Sequence, residues 1–508
     1  MSIILGIDFG TSGVRVGAFD LERKEFVRIA EAGYPTSYPH PGWAEQQPED
    51  WWSAFQQALN SLFSDPQCRE ADALTVVTTS STVVIADEKG APLRPAILWM
   101  DARAEAESAF TATISHPVLK FSGGSDAVEW LIPKAMWLSR HEPGTYHAAD
   151  RIVEALDYIN FRLTGCWVGS RLNATCKWNY NPIEERYYPE LFAAFGIPEI
   201  QNKLPSPILP VGAPIGEVRV EVAAALGFTK RPLVVQGGID AHTAMLGAGT
   251  TRPGDLLITG GTSVVHLTHS LTPPYIKGIW GPYPSALLDD HWLIEGGQVS
   301  GGSILTWLTD RIFGLDAPGH QALIQEAAKL DPCANGLLTL DYWMGNRTPY
   351  RDAKLRGSIL GLSLFHDRIS LYRSAVEAIA LGTKNVLDTF ETQGLSCDRI
   401  VVAGGIRSNP LWLEVIVDAI GKPVCLTHET NLSILAGAVA GSFALGHFAS
   451  LEQASTEIVS YSEVLEPDLK KHQCYTELLD LYRRATECLT PVLHELSSSC
   501  AVSRLPAL

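Results

Sequence analysis

Two short glycine-hydroxyl turns, the first with one acidic side chain at its edge, and a lone carboxylate between them carry the chemistry this chain can do. Residues 3–19, IILGIDFGTSGVRVGAF, read as an apolar strand, a Gly-Thr-Ser-Gly turn and a second strand, with Asp8 at the edge of the turn. Gly10 and Gly13 let the backbone approach an anion, the hydroxyls of Thr11 and Ser12 can bond phosphate oxygens, and Asp8 can hold a hydrated Mg²⁺. A plain tight hairpin fits the same residues. Residues 256–268, LLITGGTSVVHLT, repeat the pattern, with Gly261, Thr262 and Ser263 between two β-rich runs. The repeat lies roughly 250 residues downstream, about half of the 508-residue chain, as an internal duplication would place it. Each lobe would then lend one loop to an ATP molecule held in a cleft between them.

Asp240 stands in Gly237-Gly238-Ile239-Asp240-Ala241-His242, after an apolar strand and two glycines, so its carboxylate is expected to emerge into that cleft. A general base fits there, because phosphoryl transfer through a loose transition state needs mainly positioning and a late proton acceptor. The competing reading is an Asp that caps the following helix. His242 reads as a packed or cap-region histidine rather than a catalyst. Residues 400–409, IVVAGGIRSN, form a strand opening into Gly404-Gly405, where the missing side chains make room for a flat purine or its ribose, and Asn409 either reaches the nucleoside or caps a helix before Pro410. Trp99, Asp101 and Arg103, with Lys177 and Trp178, combine aromatic faces and charged hydrogen-bonding groups, as a polyhydroxylated ligand needs; a structural ion pair and core tryptophans fit equally ordinary precedent. Thr79, Ser80 and Ser81 follow an apolar run and present hydroxyls to the same pocket, or form an ordinary turn.

The elements that must position these residues belong to a globular chain. It is 46% hydrophobic and long enough for two or three domains. A formal charge of −17 with no Lys/Arg run argues against nucleic acid or an anionic membrane as partner and leaves small-molecule chemistry. The nine cysteines form no C-x-x-C pair or metal-ligand spacing and read as reduced thiols. Met1 runs directly into the first strand, so a cytoplasmic protein is expected. The apolar stretch 432–446 is too short and Gly/Ala-rich for a membrane span and reads as a buried helix. Helix-like runs at 51–63 and 129–141 alternate with a strand-like run at 75–86, giving an α/β first lobe. The second lobe holds Gly296, Gly297, Gly301 and Gly302, a long helix at 369–392 and a strand at 399–403. Expected boundaries are 1–249, 250–465 and a peripheral helical extension, 466–508, frayed from 497 onward.

In order and spacing these pieces resemble the FGGY carbohydrate kinases of the actin-like ATPase superfamily. The resemblance covers nearly the whole chain: GIDFGTSGVRV, PGWAEQQPEDWW at 41–52, GGIDAH, ITGGTS, GGSILTWL at 301–308, GNRTPYRDAKLRGSILGLSL at 345–364, and AGGIRSN. It implies an α/β fold of two actin-like, ribonuclease H-like lobes with a nucleotide cleft between them. It further implies Asp240 as catalytic base, Asp8 placing Mg²⁺, Thr11 and Thr262 on the phosphates, and Gly302, Thr306, Gly405 and Asn409 around the adenosine.

Within the family, ILWMDARA, TCKWNYN, IDAH and GNRTPYRD look like the branch that phosphorylates ribulose. Lys177 matches a sugar-contacting lysine of that branch, and Glu295 is expected to line the pocket. Glycerol kinases carry an Arg-Glu pair where this chain has Ser80-Ser81-Thr82, which disfavours glycerol. Ser370 stands where the family's second signature commonly has an acidic residue. The implied reaction transfers the γ-phosphoryl of ATP to a terminal hydroxyl of an open-chain pentulose. Xylulose or erythritol are alternative acceptors, and an actin-like regulatory ATPase without a sugar substrate is the alternative from another class. A homodimer is common among such enzymes, but no interface signature stands out.

Overall fold

The computed structural model describes residues 2–498. In the first lobe β1 (Ile3–Phe9), β2 (Gly13–Asp20), β3 (Glu25–Gly33), β4 (Ala73–Thr78), β5 (Pro214–Glu217) and β6 (Leu233–Val235) form one sheet in the order β5-β6-β4-β1-β2-β3. β1 to β3 are an antiparallel meander, β4 and β6 run parallel to β1, and β5 closes the edge antiparallel. β1 is almost wholly apolar because it lies inside the sheet with both faces covered. Helices α1 (Arg171–Lys177) and α2 (Asp240–Ala248) carry the lobe's site residues.

The second lobe repeats this wiring. β7 (Asp255–Gly260), β8 (Val264–Ser270), β9 (Trp280–Pro284), β10 (Trp292–Gln298), β11 (Arg399–Gly404), β12 (Val424–Thr427) and β13 (Tyr461–Leu465) pair in the order β9-β10-β8-β7-β11-β12-β13. β7, β8 and β10 form the meander, β11 and β12 run parallel to β7, and β13 is antiparallel at the edge. Strand for strand this is the first sheet again, with β9 added beyond β10. The duplication expected from the two turns is therefore a duplication of topology, and each turn joins the first two strands of its lobe.

Helix α3 (Arg368–Thr392) follows, its first turn capped by Asp367, which accepts from the N–H groups of Ile369 and Ser370 at 3.0 Å. Ser370 adds its hydroxyl to the same carboxylate at 3.2 Å, so the departure from the family pattern sits in a helix cap. Helix α4 (Leu432–Ala444) is the buried Gly/Ala-rich stretch. It packs on β1 and β4 of the first lobe and on α2, while α2 touches β7 and β8 of the second. The two helices thus cross between the sheets, and one apolar cluster, including Ile4, Val235, Leu246, Leu257, Val401 and Ala436, joins the lobes. Contact is close enough to exclude side chains: a Cβ on Gly6 would lie 1.9 Å from the carbonyl oxygen of Ile434. The expected boundary at 249/250 falls just after α2, yet packing carries α2 and α4 across it.

Two expectations change. The run 75–86 is not one strand: β4 ends at Thr78, and Val83–Ala86 belongs to a separate small sheet with Arg151–Glu154, so 79–82 is a break at the mouth of the cleft. The described part of the expected extension, 466–498, is not peripheral. Helix α5 (Leu469–Ser498) buries Tyr475, Leu478, Leu479, Tyr482 and Leu493 in the second lobe's core along one helical face. The expected fraying from 497 lies mostly outside the described residues, since α5 includes 497 and 498. Among the described residues no helix is long and apolar enough to cross a membrane, and the cysteines are free thiols.

Candidate active site

The two turns face each other across the cleft. In the first, Gly10 N–H donates to the Gly13 carbonyl at 3.0 Å and leaves the Ser12 side chain exposed. In the second, Gly261 N–H donates to the Ser263 carbonyl at 2.9 Å, and Gly301 and Gly302 N–H groups tie the loop's carbonyls to the start of the next helix at 2.8 Å. Three cavities meet at these loops. One of 910 Å³ is lined by Gly261, Thr262, Gly302, Thr306, Gly405 and Asn409. One of 280 Å³ surrounds Asp8, Gly10, Thr11 and Ser12. One of 200 Å³ holds Thr11, Asp240, Ser263 and the residues expected around a sugar.

Asp240 opens α2, and its carboxylate accepts from Ala241 N–H at 2.6 Å, a local cap bond that coexists with its place in the smallest cavity. Burial and the nearby charge of Asp8 push its carboxyl up to about 7, against the opposing pull of the Ala241 N–H and Lys177. A carboxyl poised there can accept a proton from an alcohol once it is ionised. Asp8 is likewise raised, first by burial; one of its oxygens accepts from Ser433 Oγ at 2.5 Å. The other, Oδ1, is buried and has no hydrogen-bond partner. Among the described residues no group of three or more His, Cys, Asp or Glu could hold a metal. A single orphaned carboxylate oxygen suits Mg²⁺, which keeps most of its own waters and takes one or two carboxylates plus phosphate oxygens.

Glu295 on β10 lines the same small cavity and has two close partners. Lys177 Nζ lies 3.6 Å and His242 Nε2 3.1 Å from its Oε2. Burial alone would raise this carboxyl, but Lys177, His242 and Arg347 outweigh it and bring it to about 2. The Lys177 ammonium also sits 4.9 Å from the ring centre of Trp130 and 5.1 Å from that of Trp280, between a tryptophan of each lobe. Trp99 lines the same cavity and donates from Nε1 to Thr11 Oγ1 at 3.0 Å, linking the pocket wall to the phosphate turn.

Asp101 and Ser81 sit elsewhere. Asp101 is fully buried, with both oxygens taken by Arg103 and by Ala44 N–H at 2.6 Å, and Arg103 stacks on Trp43 at 3.8 Å. It is the ion pair of the plainer reading and does not line the acceptor cavity. Ser81 is fully buried, and its carbonyl accepts from the buried Lys134 at 2.8 Å. The cavity is reached instead by Thr79 and Ser80, two and one residues earlier. Asn409 caps the next helix, Oδ1 accepting from Trp412 N–H, while Nδ2 donates to Tyr372 Oη at 2.9 Å and the residue lines the large cavity.

Sequence reasoning missed Glu129, Trp130, Trp280 and Arg347 in the small cavity, and Trp307, His320 and Trp343 in the large one. Arg347 lay inside the GNRTPYRD segment, and that basic residue was the available signal.

The description "FGGY family of carbohydrate kinases, N-terminal domain" matches residues 3–247, and its C-terminal counterpart matches residues 256–445. The chain belongs to the FGGY carbohydrate kinases. It is 28% identical to a human FGGY carbohydrate kinase domain-containing protein, over 95% of this chain and 96% of that one. It is 27% identical to a ribulokinase of Geobacillus thermodenitrificans, over 95% and 93%. The crystal structure of a xylulose kinase from Rhodospirillum rubrum superposes with a TM-score of 0.85 at 27% identity, covering 97% of this chain and all of the other. As an FGGY carbohydrate kinase the protein is an ATP-dependent sugar kinase with the two-lobed actin-like fold, and the regulatory-ATPase reading gives way to an enzyme.

Proposed function

We propose that this kinase transfers the γ-phosphoryl group of ATP to a terminal hydroxyl of an open-chain pentulose, with ribulose the first acceptor to test. One observation carries the reading: Asp240, Thr11 and Ser263 border the same 200 Å³ cavity as the Lys177–Glu295 pair, so base, phosphate turns and polar sugar contacts converge. The volume suits a small acceptor, and relatives named ribulokinase and xylulose kinase recur at similar identity.

In this reading the adenosine occupies the large cavity between Gly302, Thr306 and Gly405, and the turns of Thr11–Ser12 and Gly261–Thr262 hold the phosphates through hydroxyl and N–H groups. Mg²⁺ held at Asp8 would neutralise phosphate charge. Ionised Asp240 orients the acceptor hydroxyl and takes its proton as the new P–O bond forms. Lys177 donates to a sugar oxygen and Glu295, fixed as an anion, accepts from a sugar hydroxyl. The tryptophans around Lys177 keep water away from the reacting centre.

The test is a panel of D- and L-ribulose, D-xylulose, erythritol and glycerol with ATP and Mg²⁺, following ADP release and the mass of the product. Pentulose phosphate with no glycerol phosphate is the expected result. Phosphorylation of polyols alone, or ADP formed with no sugar phosphate, overturns the reading.

A further inference from the structure

The acceptor cavity contains a second charged couple for which the reaction gives no use. Arg347 enters from the second lobe and Glu129 from the first, with Nη2 3.5 Å from Oε1. Arg347 is built into place. Its guanidinium carbon lies 4.2 Å over the ring of Trp280, and Trp280 pairs in register with Glu295. The turn that carries it is fastened to β10 through Thr348, whose N–H donates to the Gly297 carbonyl at 3.1 Å and whose Oγ1 accepts from Gly297 N–H at 3.2 Å. Gly297 and Glu295 are two residues apart and share a face of β10. A Cβ on Gly297 would come within 3.2 Å of Arg347 Cδ, so the glycine lets the arginine stem lie flat against the strand.

The couple itself is loose. At 3.5 Å, the limit of a hydrogen bond, with the side chains 17% and 25% exposed, the pair can exchange this long contact for a hydroxyl that accepts from the guanidinium and donates to the carboxylate. The Arg347 guanidinium lies over Trp280, which pairs with Glu295, three residues along β10 from Gln298 and its partner Val264 at the phosphate turn, and this register sets it away from the turn that holds the phosphates.

We propose that Arg347 and Glu129 bind the hydroxyl at the end of the acceptor opposite the phosphorylated one, the C1 hydroxyl of a ketopentose, and so select acceptors that carry it. The assignment rests on the pentulose reading above. Because the two side chains come from different lobes, the hydroxyl is gripped only where the lobes meet, and Arg347 is a specificity residue rather than part of the proton transfer.

The test compares wild type and Arg347→Met on D-ribulose, L-ribulose and D-xylulose, each beside its 1-deoxy analogue. On a parent ketose that wild type accepts, Arg347→Met is expected to lower kcat/KM roughly 10- to 100-fold, mainly through KM, as loss of a charge-assisted hydrogen bond should. On the 1-deoxy analogue the same substitution should change kcat/KM by less than about 3-fold, because the contact is already absent. Equal losses on both, or no loss on the parent, overturn the proposal. If Arg347→Met does not fold by thermal melting, Glu129→Gln enters the same comparison with the same expected pattern. A wild-type enzyme that phosphorylates no pentulose fails the earlier reading, and this assignment with it, which is distinct from a pentulose kinase whose loss is equal on both ketoses.

Discussion

His242 Nε2 lies 3.1 Å from Glu295 Oε2, and this contact ties the helix that begins with the base to the strand that lines the acceptor cavity. Asp240 and His242 are two residues apart at the start of α2, so a shift of the helix moves both. Lys177 shares the same carboxylate oxygen from α1. The acceptor pocket is therefore organised around one anion of the second lobe whose two nearest partners, Lys177 and His242, come from helices of the first.

That anion has a pH signature. Glu295 titrates near 4.5 in an unfolded chain and is brought to about 2 here, so its contribution to stability is present above pH 4.5 and lost as pH falls toward 2. Glu295→Gln removes that contribution, on the order of 3 kcal/mol, and leaves Lys177 buried without its counter-charge. The melting temperature of Glu295→Gln should fall well below wild type at pH 7, and the gap should narrow as both are measured down to pH 3. A gap that stays constant over that range would show that Glu295 carries no such charge in the folded state.

Asp240 behaves in the opposite sense. Its folded value near 7 exceeds the ordinary 3.8, so whatever it adds to stability is present below pH 3.8 and is lost as pH rises through 7. Asp240→Asn should therefore melt at or above the wild-type temperature at pH 8 while lowering kcat by at least ~10²-fold. Wild-type kcat should fall as pH drops through about 7, on a limb that belongs to the Asp240–Asp8 pair rather than to either carboxyl alone. A folded Asp240→Asn with wild-type turnover removes Asp240 from the chemistry.

What could be read from the chain followed from local geometry. The Thr11 and Thr262 turns were legible because glycine and hydroxyl residues between two apolar strands constrain backbone and chemistry together. The long helix α3 and the buried α4 were legible from their apolar patterns. Side-chain direction beyond a strand end was not: Thr79, Ser80 and Ser81 are chemically alike, and only the break after β4 decides that Ser80 faces the cavity while Ser81 is buried. Asp101 looked available because its partner Arg103 stood only two residues away in an unresolved local geometry, and the pair consumes its oxygens. Trp130, Trp280 and Arg347 meet only after two lobes have folded and docked, a fact with no local trace. Helix α5 read as surface because its charges are interleaved with the tyrosines and leucines that point inward.

The crossing of α4 over β1 depends on the absence of a side chain at position 6. Gly6→Ala would force a methyl carbon against the Ile434 carbonyl, a backbone group that cannot swing aside, and should cost about 3 kcal/mol or more. At Gly261, by contrast, a Cβ meets nothing within 4 Å, so Gly261→Ala should fold normally and raise KM for ATP by crowding the phosphates. Thermal melts and ATP kinetics of the two variants separate packing from ligand approach. Equal melting temperatures for Gly6→Ala and wild type would mean the inter-lobe contact is looser than 1.9 Å implies.

Helix α5 reaches β10 through a chain of buried hydrogen bonds within the second lobe. Tyr482 Oη donates to Asp341 Oδ1 at 2.5 Å, Asp341 Oδ2 accepts from Gln298 Nε2 at 2.8 Å, and Gln298 Oε1 accepts from Thr383 Oγ1 at 2.8 Å. Gln298 ends β10, three residues beyond Glu295 and just before the loop of Gly301 and Gly302. Asp341 is raised to about 6 by burial, and the tyrosine hydroxyl is one of the donors that oppose that rise. Tyr482→Phe removes this donor and should destabilise the protein by about 1–3 kcal/mol, since a buried carboxyl is left short of a partner. Deleting residues 468–508 strips Tyr475, Leu478, Leu479, Tyr482 and Leu493 from the second lobe's core and should abolish cooperative unfolding of that lobe. A truncated chain that still melts cooperatively and still binds ATP would show that the helix is an accessory to this lobe and that its core closes without it.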